Sequence, residues 1–218
     1  MAKPTGRDVE ADEGQAPSQD KLNQIFAGIL QRSTVAAARQ NADAAKARVG
    51  QLTQSQQRLR ARSAEVSDEI RGLSAMCRRS LIEQHAGTEN QPDVGEHLRR
   101  LPALEREHSV LTEAVVEIGE HLLPNAEVAD LRAAAEFCAA QAEALREVTA
   151  DRMDKTQKLM AGAAEHEGEI TFDPARTVSG VLLTQANQLE IEAGNRRRIA
   201  HEREEEYLRV QRQKAKIS

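Results

Sequence analysis

From Val35 to Cys77, residues that suit a buried helix face recur every three or four positions: Val35, Ala38, Ala42, Ala45, Val49, Leu52, Gln56, Leu59, Ser63, Val66, Ile70, Leu73 and Cys77. Such a spacing held over about six heptads turns one long helix into a narrow strip that another helix must cover. A strip of this kind zips lengthwise and shelters no cavity. The expected fold class is therefore all-α, an elongated antiparallel rod of three long helices with coiled-coil-like packing, the second helix kinked near Pro124.

Composition narrows the core. Only 2% of the 218 residues are aromatic, with no Trp, one Tyr and three Phe, whereas charged residues reach 30%. Aromatic side chains bury the most area each, so without them a thick core would rest on Leu, Ile, Val and Ala, a palette that suits thin helical layers. The net charge of -5 is unevenly spread, and Asn195–Ser218 is basic. A dedicated nucleic-acid binder would carry a basic excess over the whole domain, so nucleic acid is disfavoured as a partner. The two cysteines, Cys77 and Cys138, stand at seam positions without a CxxC spacing and are expected to be buried and reduced. No apolar run approaches the ~20 residues that cross a bilayer, and the start lacks a signal-peptide core, so the expected location is cytoplasmic.

Residues 1–18 mix Gly, Pro, Asp, Glu and Ser without periodicity and are expected to form a solvated acidic tail. Residues 19–218 are expected to form a single elongated helical domain, with helices at about 19–85, 94–122, 125–167 and 174–216. Ser18 and Asp20 provide a start signal, Gly87 a stop, and the stretch His85–Asp93 the clearest turn. Asp93 and Glu96 make a capping box, and a short helix to Arg100 is expected ahead of Pro102, which suits the first turn of the next segment. Beyond Pro124 the spaced positions resume as Val128, Leu131, Ala135, Cys138, Ala142 and Leu145, one residue out of step with Leu104, His108, Leu111, Val115, Ile118 and Leu122. A proline kink at 123–125 accounts for that step, with a tight αα-hairpin as the alternative. Asp173 and Pro174 signal the start of the last helix.

No pattern points to catalysis. Glu105 and His108 form one ExxH pair, but a helical di-metal site needs a second pair and two further inward carboxylates. Glu117 and His121 are spaced to pair along a helix surface. There is no HExxH, no phosphate-cradling glycine loop and no nucleophile elbow. The chain is therefore expected to be no enzyme, with no cofactor, no metal and no small-molecule substrate.

The expected function is that of a structural or scaffold protein, an assembly subunit that associates with itself, as a dimer, or with other helical proteins. The broad apolar face of Leu22, Ile25, Phe26, Ile29 and Leu30 is the expected partner-binding surface. Electrostatic docking falls to Arg78, Arg79, Arg99 and Arg100, which flank the same turn, and to Arg196, Arg197 and Arg198. A BAR-like module binding an anionic membrane surface is the alternative, and a virion or secretion-machine assembly factor a further one.

Overall fold

The computed structural model describes residues 18–86, 94–164 and 177–217, which are all-α. The expected acidic tail lies outside them except for Ser18, and so do most of the turn at 85–93 and the Asp173–Pro174 start signal. We label the helices α1 (Gln19–Leu30), α2 (Ser33–His85), α3 (Val94–Glu117), α4 (Leu123–Ala164) and α5 (Val178–Ile217). A π-helical turn, Ile118–Leu122, joins α3 to α4, so residues 94–164 form one unbroken helical run.

The sequence predicts one helix over 19–85, yet the chain breaks after Leu30. The Gln31 and Arg32 N–H groups donate to Gly28 and Ile29 carbonyls in tight three-residue steps, and a new ladder opens with Ala36 N–H donating to the Arg32 carbonyl. Ser33 and Thr34 sit at this restart, where short hydroxyl side chains favour a helix beginning over a helix interior.

Between α3 and α4 the hairpin alternative is excluded by continuity of the helix. Proline at 124 has no N–H to give and its ring crowds the carbonyl four residues back. The backbone accommodates this by lengthening one turn: Leu123 N–H donates to the Ile118 carbonyl, five residues back. The inward register changes here, because Ile118 is buried, Leu122 is exposed, and Val128 is the next buried position. Pro102, expected to open a helix, instead lies inside α3, and Arg106 Nε donates to its carbonyl. The last described helix is capped by Thr177, whose Oγ1 accepts from Gly180 N–H at 3.0 Å.

The residues group into two compact units, one holding residues up to 45 together with 128–218, the other holding 46–127. In the first, α1, the start of α2, α4 and α5 meet in one core of Leu22, Ile29, Val35, Ala142, Ala144, Leu145, Val178, Leu182 and Ala186. Cross-helix pairs fix the register: Arg132 binds Glu204 and Arg146 binds Glu190, fourteen residues apart on both α4 and α5, so the two helices run antiparallel in step by two heptads. Ala186, Ala193 and Ala200 then fall one per heptad on α5, each 1% exposed or less; Ala186 joins the core that holds Ala142, and Ala193 clusters with Ala135 and Cys138 of α4. Small residues on both sides let the backbones approach closely.

In the second unit α2 and α3 pair antiparallel. Arg62 binds Glu107 and Glu69 binds Arg100, seven residues apart on both helices and with the signs exchanged. The core is Val66, Leu73 and Leu104, flanked by Ile70, Leu101 and Leu111. Throughout α2, every seam position from Val35 to Cys77 that the spacing predicts is buried or half-buried.

Candidate functional site

The face of Leu22, Ile25, Phe26, Ile29 and Leu30, expected to meet a partner, packs into the core of its own unit. Leu22 and Ile29 are buried there and Ile25, Phe26 and Leu30 are half-buried against it. The break at Gln31 and Arg32 is what frees α1 from the line of α2, and α4 and α5 supply the opposing residues Ala142, Leu145, Val178 and Leu182. Charge reinforces this arrangement, since Arg32 donates to Glu147 of α4 at 2.5 Å.

Most of the arginines expected to dock anions are held by carboxylates of the same chain. Arg79 lies 3.7 Å from Glu83, Arg100 2.6 Å from Glu69, and Arg198 2.7 Å from Glu202. Arg196 is bound by Glu192 at 2.5 Å and also donates to the Ala134 carbonyl and to Cys138 Sγ. Arg197 lies close enough to Glu190 to help hold that carboxylate below its usual range, behind the larger effect of Arg146. Arg78 and Arg99 have no carboxylate partner among the described residues.

Cys138 is buried beside Ala135 and Ala193, as its seam position predicts. Burial pushes its thiol up, and the neighbouring Arg196 guanidinium opposes that shift while Glu192 adds to it. Cys77 is buried in the other unit, and both thiols are free. His121 Nε2 lies 3.9 Å from Glu117, the surface pair that the four-residue spacing predicts. No group of three or more His, Cys, Asp or Glu side chains among the described residues is arranged to hold a metal ion. Glu105 is exposed, whereas His108 is half-buried on the α3 seam.

The second unit contains two features that periodicity alone does not reveal. Gln56, a buried seam residue, lays its amide over the π turn: Nε2 donates to the Val115 carbonyl at 3.3 Å, and a Cβ at Gly119 would come within 2.4 Å of that nitrogen. Only glycine leaves room for the amide there. The other is a groove of about 470 Å³ along the α2–α3 seam, lined by Arg60, Ser63, Ser67 and Arg71 from α2 and by His108 and Thr112 from α3, among others. The signal for it was present in Ser63, Ala64 and Ser67, three small residues in five positions, with Ser63 standing between Leu59 and Val66 on the seam.

No helix among the described residues is long and apolar enough to cross a membrane. Comparison with known proteins found no matching family model, no matching curated protein and no matching solved structure.

Proposed function

We propose that this chain is a non-enzymatic structural protein, an assembly subunit that works by laying helices side by side, first within itself and then against a second copy or other helical chains. Three long helices packed lengthwise in coiled-coil fashion as an elongated antiparallel rod is the architecture this reading entails. Support comes from the cross-helix ion pairs that recur at heptad multiples in each unit, the way e and g positions set partner and register in coiled coils. The observation that carries the association is in the second unit. Its two helices cover one face of each other, and Met76, Ile82, Leu98 and Val110 remain 47%, 62%, 50% and 64% exposed. Met76 and Ile82 line one surface recess together with Ala75, and adjoining apolar side chains on a solvent-facing helix surface mark contact sites for other helices.

Light scattering on the full chain across micromolar concentrations tests this. The expected mass exceeds one chain and falls to one chain when Met76 and Ile82 are both replaced by Glu. A strict monomer throughout would remove self-association from the account. Replacing Ile25 or Phe26, by contrast, would report on folding, because both pack against the chain's own core.

A second reading, a BAR-like membrane-surface module, rests on Arg78 and Arg99, whose guanidinium groups face no carboxylate among the described residues. Salt-sensitive sedimentation with anionic vesicles separates the two, since an assembly subunit should stay in the supernatant.

A further inference from the structure

We infer that the groove between α2 and α3 in the second unit is a binding site for an oxyanion of the phosphate-ester class. The inference is independent of the assembly reading. Its starting point is a packing fault: a seam built on Leu52, Leu59, Val66 and Leu73 carries Ser63 at one of its inward positions, with Ala64 and Ser67 beside it. Side chains this short cannot fill the space between two helices, so about 470 Å³ stays open above them.

The opening is lined by six side chains that carry hydrogen-bond donors, together with Ala64, Val115 and the carboxylate of Asp68. Arg60 and Arg71 stand eleven residues apart on α2, three helical turns, which places them on one stripe with Ser63 and Ser67 between them. From α3, His108 faces the same space, while the Thr112 hydroxyl donates to the His108 carbonyl. Arg71 is held at 2.5 Å by Asp68, the single carboxylate of the lining, which leaves its remaining guanidinium N–H groups for a ligand. Arg60 meets no carboxylate, and the Ser63 and Ser67 hydroxyls meet no hydrogen-bond partner, among the described residues.

Arg62 and Arg100, by contrast, are tied to carboxylates of the opposite helix across the seam. A planar guanidinium, two hydroxyls and an imidazole converging on one recess match the several lone pairs of a phosphate group. No Phe, Tyr or Trp lines the groove, and its arginine and hydroxyl donors match the phosphate part of a ligand. The same chemistry is offered by a soluble phosphate ester and by a phosphomonoester lipid headgroup.

The test uses the full chain. Pyrophosphate is titrated into 15N-labelled protein at moderate salt, and amide shifts are followed. The expected result is saturable movement of Ser63, Ser67 and His108 with a Kd of about 1 mM, weakened about tenfold by R60Q and by S67L, which fills the recess. R99Q removes the same charge from an arginine outside the groove and should leave the Kd unchanged. Sedimentation with vesicles containing phosphatidic acid identifies the source: capture that R60Q abolishes assigns the lipid headgroup, and soluble binding without capture assigns a free ester. Absence of saturation up to about 10 mM pyrophosphate together with no vesicle capture overturns the proposal, as does equal weakening by R99Q and R60Q. The spectrum of each variant shows directly whether it is folded.

Discussion

The two units of this protein are built on the same three-four spacing and end up with different interiors. In the first, four helical segments converge, and Val35, Leu145, Val178, Leu182 and Ala186 are 1% exposed or less. In the second, two helices face each other, and of its core only Val66 is wholly buried, with Leu73 and Leu104 at its margins. An inward stripe fixes which side of a helix is apolar; how many neighbours arrive decides how much of that side leaves water. The second unit therefore has thin burial and a polar recess, and it leaves Ile82 and Val110 in solvent, as the first unit also leaves Met153 and Ile191.

The comparison is broken most readily at the cores. Leu145→Ala should cost about 3 kcal/mol in urea unfolding, since it opens a cavity among fully packed neighbours, whereas Leu73→Ala should cost about 2 kcal/mol because the thin pair can collapse around it. Equal or reversed costs would mean that the second unit is packed as well as the first.

Filling the seams sharpens the contrast. Ala193→Leu forces a large side chain between closely approaching α4 and α5 and should destabilise by about 2 kcal/mol. Ser63→Leu enters the open groove, and its stability should stay within about 0.5 kcal/mol of the parent. Calorimetry on both variants reads the difference.

Glycines give a smaller effect of either sign. At Gly119 a methyl group meets the Gln56 amide, so Gly119→Ala should displace that side chain, break its bond to the Val115 carbonyl and cost about 1 kcal/mol. Gly50 and Gly72 of α2 have open space where a Cβ would stand, and Gly50→Ala should stabilise by up to about 1 kcal/mol.

The smallest effect concerns pH. The bidentate grip of Arg146, from α4, holds the Glu190 carboxyl on α5 below its usual range. A carboxylate lowered on folding contributes stability above its unfolded pKa of about 4.3 and loses it as pH falls through the lower folded value. Because both groups are largely in solvent, the contribution is slight. The sensitive reading is an NMR titration of Glu190, whose midpoint should rise to the ordinary carboxylate range in R146Q and stay depressed in R62Q.

Much of this fold was legible because helix periodicity repeats. Each seam position of α2 from Val35 to Cys77 faces inward, and so do Val128, Leu131, Ala135, Cys138, Ala142 and Leu145 on α4, including the one-residue change of register across Pro124. What the pattern hid is non-repeating. The break at Gln31 and Arg32 follows no proline, and glycine occurs there only at Gly28, so nothing separates α1 from α2 in a window count. The broad face at Leu22–Leu30 looked unpartnered because its cover comes from Ala142–Leu145 and Val178–Leu182, more than a hundred residues away. The change of register was visible, but that the backbone absorbs it in a π turn under Gln56 depends on contacts across fifty-nine residues. Arginine clusters read as a docking patch because their neutralising carboxylates, Glu69 for Arg100 and Glu202 for Arg198, lie on another helix or a full helical turn away.

Native-state amide hydrogen exchange measures the difference between the units most directly, since helix amides exchange through local opening whose free energy follows the packing around them. Amides of α5 between Leu182 and Ala200 should be the most protected in the molecule, and those of α2 between Leu59 and Cys77 should exchange faster by about a hundredfold or more, a gap of about 3 kcal/mol. Matching protection in the two stretches would contradict the account, because it would show that two helices bury their shared stripe as completely as four.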